Sequence, residues 1–225
     1  MNIILFGPPG AGKGTQADII ANDFNLYKVS SGNLLRKESQ NSSLVGKKIK
    51  ILLDKGMFVS DDIIDDLVEK ILLDNKINNR LIFDGYPRNL TQAKKLNTLF
   101  EKSSLKISCV LSLDVNKETV VKRILGRQIC SKCDLIFNEY YNPATILNHK
   151  CDNKFLQKRS DDNKEVVEQR YETYLKETLP ILNFYKKQNI HRSINGTAEI
   201  NEIYKEIRDI IASLEAWLYV LCLYK

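Results

Sequence analysis

Two rhythms of apolar positions alternate along this chain. Residues 2–6 form an apolar-rich run that stops at Gly7-Pro8-Pro9-Gly10, the pattern of a buried strand entering a loop. Over 15–24 the apolar positions fall at Ala17, Ile20, Ala21 and Phe24, one face of a helix. Residues 80–84 predict a second strand, stopped by Gly85-Tyr86-Pro87, and 106–115 predict a third. A fourth is expected at 191–194, before Asn195-Gly196. Helical spacing fills 61–74, 90–102, 116–125, 165–187 and 199–214. Strands separated by helices predict a parallel sheet covered on both faces.

Two segments interrupt the rhythm. Residues 30–60 are polar and helical, with no strand of their own. Residues 128–160 have no clean period and hold Cys130, Cys133 and Cys151 among many Asn, Lys and Tyr. Inserts between core elements are where binding or moving parts sit. The chain of 225 residues suits one core domain carrying such inserts. With 43% hydrophobic and 28% charged residues it is globular rather than disordered.

The net charge of +6 is spread along the chain, which suits anionic partners without marking a nucleic-acid surface. Five cysteines, three in one segment, do not make a secreted disulfide framework and fit a reducing compartment. The N-terminus lacks signal-peptide character, and the longest apolar stretch, 216–224, falls far short of the roughly 20 residues that span a bilayer. A cytoplasmic protein with neither a membrane nor a nucleic-acid partner is expected. The apolar tail itself reads as a helix extension packing on the core, with a sticky partner-binding patch as the alternative.

The stretch Gly7-Pro8-Pro9-Gly10-Ala11-Gly12-Lys13-Gly14-Thr15 carries the most chemistry. It follows a strand and opens a helix, as a phosphate-binding loop must. Glycines let successive backbone N–H groups converge on phosphate oxygens, and the helix N-terminus adds orphan donors and a positive dipole end. Lys13 supplies a point charge. Gly14 takes the usual hydroxyl position after the lysine, and Thr15 follows.

This loop, with glycine after the lysine, resembles that of the nucleoside monophosphate kinases. Ser30-Ser31-Gly32-Asn33-Leu34-Leu35-Arg36 resembles their acceptor-nucleotide segment, and Asp84-Gly85-Tyr86-Pro87-Arg88 their DGxPR box. Gly126-Arg127, the long insert and Arg159-Ser160-Asp161-Asp162 resemble the lid of the long-lid, bacterial-type adenylate kinases. The likeness covers roughly 1–212 in the family's order.

It implies a three-layer α/β/α sandwich on a five-stranded parallel sheet. The core would be 1–29, 61–125 and 161–225, with an AMP-binding insert at 30–60 and a lid at 126–160. It implies phosphoryl transfer from ATP to AMP giving two ADP, with Mg²⁺, by a monomer. The acceptor phosphate is already ionised, so no general base is needed; neither His149 nor His191 lies in a motif.

By the same resemblance, Lys13, Arg88, Arg123, Arg127, Arg159, Arg170 and Asp84 carry catalysis, with Asp84 holding water on Mg²⁺. ATP would meet Gly10, Ala11, Gly12, Lys13, Gly14, Thr15, Arg127, Ile136, Phe137 and Ala198. AMP would meet Ser31, Arg36, the backbone of Met57, Phe58 and Val59, then Gly85, Tyr86, Pro87, Arg88, Gln92, Arg159 and Arg170. Asp161 and Asp162 would orient arginines. Asn33 departs from the family's usual Asp.

Alternatives remain at this level. A GTP:AMP phosphotransferase or another monophosphate kinase shares most of these motifs. A zinc-knuckle nucleic-acid module would leave the phosphate loop unexplained, and a switch-type NTPase would leave the acceptor-site arginines unexplained.

Cys130-x₂-Cys133, seventeen residues, then Cys151 has the spacing of three zinc-ribbon ligands. The fourth should fall at 154, where Lys154 cannot ligate as an ammonium. Asp152 or His149 completing the site, a three-thiolate site open to water, and a metal-free lid are the competing expectations. Any metal role is structural. Cys109 and Cys222 read as buried spectators.

Overall fold

The structure, a computed structural model, describes residues 1–55, 57, 59–73 and 80–223, the last seven of these by backbone alone. In chain order the elements are β1 (Asn2–Phe6), α1 (Lys13–Asp23), β2 (Tyr27–Ser30), α2 (Ser31–Ser39), α3 (Leu44–Asp54) and α4 (Asp61–Leu72). Then come β3 (Leu81–Asp84), α5 (Leu90–Lys102), β4 (Cys109–Asp114), α6 (Lys117–Leu125), β5 (Arg127–Cys130), β6 (Ile136–Asn138) and β7 (Leu156–Gln157). The chain closes with α7 (Lys164–Thr173), α8 (Ile181–Lys186), β8 (His191–Asn195) and α9 (Ile200–Leu223).

β1 lies at the centre of a five-stranded sheet ordered β2-β3-β1-β4-β8, parallel throughout. Its alternation sets the two layers. Ile3 and Leu5 face one core, shared with Ile20 of α1, Ile124 of α6 and Ile207 of α9. Ile4 and Phe6 face the other, shared with Val68 of α4, Leu96 of α5 and Tyr185 of α8. This is the expected three-layer α/β/α sandwich. The order reverses at β1, so a crevice opens at the carboxyl ends of β1, β3 and β4, where doubly wound sheets bind ligands.

Three expectations need correction. The fifth strand, β2, lies at 27–30, where the apolar pattern showed none; as an edge strand it buries only Val29 and Ser30. The single helix expected at 165–187 is three pieces. A π-helical turn at Tyr174–Thr178 separates α7 from α8, and Pro180, which cannot donate in a helix interior, leads into α8. The patternless insert contains an antiparallel sheet, β6-β5-β7, of strands too short for a period.

Asp74, the expected end of the helix begun at Asp61, is outside the described residues. α9 continues the last helix to Leu223, and Arg80 forms an ion pair with its Glu215 at 2.7 Å. The side chains of 217–223, Cys222 included, are outside the described residues. Among the described residues no helix is long and apolar enough to cross a membrane.

Candidate active site

The loop after β1 turns back on itself before α1 begins. Gly10 has φ +75° and packs so closely on α6 that a Cβ there would lie 2.6 Å from Ile124 Cγ1. Only glycine meets both demands. The first helical bond of α1 runs from the Gln16 N–H to Gly12 O at 3.0 Å. The amides before it open at the helix N-terminus with no helical acceptors, in the geometry that holds an anion. Lys13 folds its ammonium over the loop and donates to Gly7 O and Pro8 O, both at 2.7 Å. Lys28 of β2 braces the same turn from outside, donating to Gly14 O at 3.1 Å.

Asp84 ends β3 beside this loop. A Cβ on Gly14 would lie 3.5 Å from its Oδ2, and Ser30 Oγ donates to that oxygen at 3.2 Å. A carboxylate here, next to the phosphate cradle, is the hard oxygen ligand that Mg²⁺ favours directly or through water.

The next turn fixes Arg88. Gly85 has φ +78°, and a Cβ on it would meet Ser31 Oγ at 2.8 Å. Its carbonyl accepts from Ser31 Oγ at 2.6 Å and from Arg88 Nε at 2.8 Å, while Arg88 Nη2 donates to Ser31 Oγ at 3.2 Å. Gln92 Oε1 accepts from the Arg88 backbone N–H at 2.7 Å, and Thr178 Oγ1 donates to Arg88 O at 2.7 Å. Asp61 anchors Gln92 Nε2 at 2.6 Å and Asn89 Nδ2 at 2.9 Å. Tyr86 and Pro87 are buried behind this turn, and the Tyr86 hydroxyl donates to Asp65 at 2.7 Å. Tyr86 therefore supports the pocket from within the core.

Arg36 Nη2 donates to Asn33 Oδ1 at 2.6 Å, so the amide that replaces the family's carboxylate still holds this guanidinium. Val59 is buried and Met57 half exposed, its N–H spent on Leu52 O at 2.9 Å; Phe58 is outside the described residues. From the other side come Arg127, paired through Nε and Nη2 with Asp162, and Arg170, paired with Asp161. Asp162 is wholly buried at its side chain. Arg159 has its Nε buried with no hydrogen-bond partner.

These cations feel one another. Burial, then Arg88, Arg170 and Arg127, pushes the Lys13 ammonium down to about 8, with Asp84 opposing. Burial and neighbouring guanidiniums likewise push Arg88, Arg36, Arg159 and Arg170 below the usual arginine range. All remain charged at neutral pH. Lys13, Arg36, Arg88, Arg127, Arg159 and Arg170 thus form one positive cluster with too few acids to balance it. Such a cluster is built for a polyanion.

Arg123 reaches the phosphate loop from α6. Its Nη1 donates to Gly196 O at 2.6 Å and Ala11 O at 3.4 Å, and its guanidinium stacks 5.1 Å from the Tyr141 ring. Ala198 is half-buried nearby in sequence against the first core. Ile136 is half-buried on β6, but Phe137 is buried within the insert, its ring 4.8 Å from that of His149. The Sγ atoms of Cys130, Cys133 and Cys151 and a ring nitrogen of His149 all lie within 4.8 Å of one another. Cys109 is a buried strand residue whose thiol burial pushes up to about 11.

Sequence reasoning missed several supporting residues. Thr178 lies on the unforeseen π turn. Asp61 looks like an ordinary first-turn helix acid and Asp65 like a surface acid one turn on, although its side chain is buried. Lys28 lies on the unforeseen strand.

The depressed Lys13 makes a prediction. The unfolded chain binds more protons than the folded one between about pH 8 and the ordinary lysine value near 10.5, so stability rises with pH across that window. Phosphate oxygens beside Lys13 reverse the shift. A non-hydrolysable ATP analogue binding at about pH 8.5, where its own phosphates are fully ionised, is therefore expected to take up a fraction of a proton. Calorimetry in two buffers of different ionisation enthalpy reads this directly. Heats independent of buffer would contradict it.

The comparisons agree with this geometry. The family model described as Adenylate kinase matches residues 5–190. The chain is 44% identical over 211 residues to the adenylate kinase of Pelagibacter ubique (strain HTCC1062), covering 94% of this chain and 99% of that one. It is 36% identical over 215 residues to that of Listeria innocua, covering 95% and 100%. It is 35% identical over 216 residues to that of Clostridium tetani, with the same coverage. A match of this length, on a chain whose phosphate loop and arginines converge as described, leaves one conclusion: the chain belongs to the adenylate kinase family.

Proposed function

We propose that the protein catalyses ATP + AMP ⇌ 2 ADP. The observation that carries this reading is the cluster of Lys13 and five arginines around a phosphate loop, with Asp84 beside it. One polyphosphate would occupy the loop. A second, monophosphate ligand would occupy the side bounded by Ser31, Arg36 and Arg88. The family membership gives the two nucleotides their identity, and nothing favours a GTP-specific enzyme or a nucleic-acid module.

The residues would act by position and charge. The attacking oxygen belongs to an ionised phosphate, so no side chain removes a proton from it. The transferred group passes through a loose state with charge spread over its oxygens. Lys13 and the loop amides hold the donor phosphates; Arg88 and Arg36 hold the acceptor; Arg127, Arg159 and Arg170 close over the charge between them. Asp161 and Asp162 fix two of those guanidiniums. Arg123 sets the loop against Gly196 and the Tyr141 ring. Asp84 would hold Mg²⁺ through water, and the ion when bound would neutralise phosphate charge. Ile136 and Ala198 would flank the donor base, with Phe137 contributing through its backbone.

A monomer is carried as part of the proposal. We carry the division into a core, an AMP-binding insert at 30–60 and a lid at 126–160 as part of the proposal. It is supported by Ser160 Oγ, at the lid's end, donating to Asp54 of α3 at 2.7 Å across the cleft. Closure there would exclude water, so that transfer reaches AMP rather than water.

The test is ADP formation with Mg²⁺, AMP as acceptor, and ATP or GTP as donor in parallel. AMP-dependent turnover faster with ATP is expected. Faster turnover with GTP would move the donor assignment, and no transfer from either donor would refute the reading.

A further inference from the structure

The insert's metal-binding geometry does not follow its spacing. Position 154, where the ribbon pattern wants a ligand, points into solvent. Lys154 is 69% exposed and its ammonium lies 5.3 Å from the Phe155 ring centroid. Asp152 is engaged elsewhere. Its Oδ1 caps a short 3₁₀ turn by accepting the Lys154 N–H at 2.9 Å, and its Oδ2 lies 3.5 Å from Lys154 Nζ. Neither residue is available to the three thiols, of which Cys130 is buried, Cys151 half-buried and Cys133 exposed.

His149 is the reverse case. It is 5% exposed, and both ring nitrogens are buried with no hydrogen-bond partner. Buried polar atoms are nearly always paired, and an unpaired imidazole at a cluster of thiols calls for an occupant. A compact turn carries it inward. Thr145 O accepts from the His149 N–H at 2.8 Å, and Asn148 Oδ1 accepts from the Thr145 N–H at 2.7 Å. The ring then packs on Phe137, which limits its rotation. A nitrogen of this ring and the three Sγ atoms lie within 4.8 Å of one another, a spread that a small inward adjustment converts into a coordination shell.

We propose that His149 is the fourth ligand of a Cys₃His zinc site, replacing the ligand that the spacing places at 154. Three thiolates and one imidazole closing a tetrahedron select Zn²⁺ over the harder divalent ions, and the exposed Cys133 leaves the ion a route of entry. The ion would join the end of β5, the turn at Cys133 and the returning segment 145–151. β6 lies between those ligands in the chain, so the ion would fix the strand that carries Ile136 and Phe137. The ligand assignment does not depend on the catalytic reading; only the role of β6 does.

The experiment measures metal content and ligand type, not turnover. The full chain is purified in metal-free buffer and titrated with Zn²⁺, and Co²⁺ is substituted for spectroscopy. One equivalent is expected in the native chain, with thiolate-to-cobalt charge-transfer bands and tetrahedral d–d bands of an S₃N set. His149→Ala is expected to weaken Zn²⁺ binding at least 100-fold. His149→Cys is expected to restore it with d–d bands moved to longer wavelength. Asp152→Ala and Lys154→Ala are expected to bind as the native chain does.

His149→Cys guards against an unfolded alanine variant. Native affinity and an unchanged cobalt spectrum in His149→Ala would overturn the proposal. So would loss of metal in Asp152→Ala, or a native chain that takes up no Zn²⁺.

Discussion

Lys13→Met is expected to lower kcat by about 10³-fold while the midpoint of thermal unfolding stays level or rises. The two halves of that expectation have one cause. The ammonium lies against Gly7 O and Pro8 O, among Arg88, Arg127 and Arg170, with Asp84 as its principal counter-charge. Burial and those neighbours push it down to about 8, so the folded chain holds this charge at a cost. Methionine removes the two hydrogen bonds but also the repulsion. What is lost is a fixed cation at the point where the transferred phosphoryl gathers charge, and no water can replace it there. Steady-state kinetics together with a thermal melt checks both halves. Near-native kcat, or a collapse in stability, would contradict the account.

Arg88 is expected to show its effect on the other substrate. Arg88→Ala should reduce kcat/KM for AMP by about 10²- to 10³-fold while changing KM for ATP less than about threefold. The guanidinium is set by Gly85 O and Ser31 Oγ, and its backbone by Gln92 and Thr178, so the fork arrives pre-oriented. Lysine carries the charge but cannot reach Gly85 O and Ser31 Oγ while presenting two parallel donors. Arg88→Lys should therefore recover less than about tenfold of the loss. Equal damage to ATP and AMP kinetics would show that Arg88 serves both sites or the fold.

Much of this site was legible because its chemistry is local. The phosphate loop and the DGYPR turn are contiguous, and each has glycines at left-handed positions that geometry requires. The four strongest strands and most helices announced themselves by period, since their apolar faces meet the core directly. The failures have physical reasons too. β2 is an edge strand with a polar end, so period 2 cannot be read over four residues. The π turn at Tyr174–Thr178 shifts the helix by a fraction of a turn without changing its composition. It matters all the same, because Thr178 supports Arg88 from it.

The insert resisted reading most, since its order comes from cross-chain contacts. The sequence offered His149 and Asp152 alike beside Cys151, and only the fold separates them, bringing the His149 ring to the three cysteines and leaving Asp152 on the Lys154 N–H. Arg123 resembles the other arginines in sequence context, and the structure holds it against Gly196, Tyr141 and Ala11 of the phosphate loop.

The central claim is transfer between two bound nucleotides in a water-free cleft. A single turnover with γ-labelled ATP, unlabelled AMP and Mg²⁺, quenched and resolved by nucleotide, tests it most directly. The account predicts label in the β-phosphate of ADP, at the rate AMP is consumed, with almost none in inorganic phosphate. Label released chiefly as inorganic phosphate, or retained in ATP while AMP is bound, would contradict it.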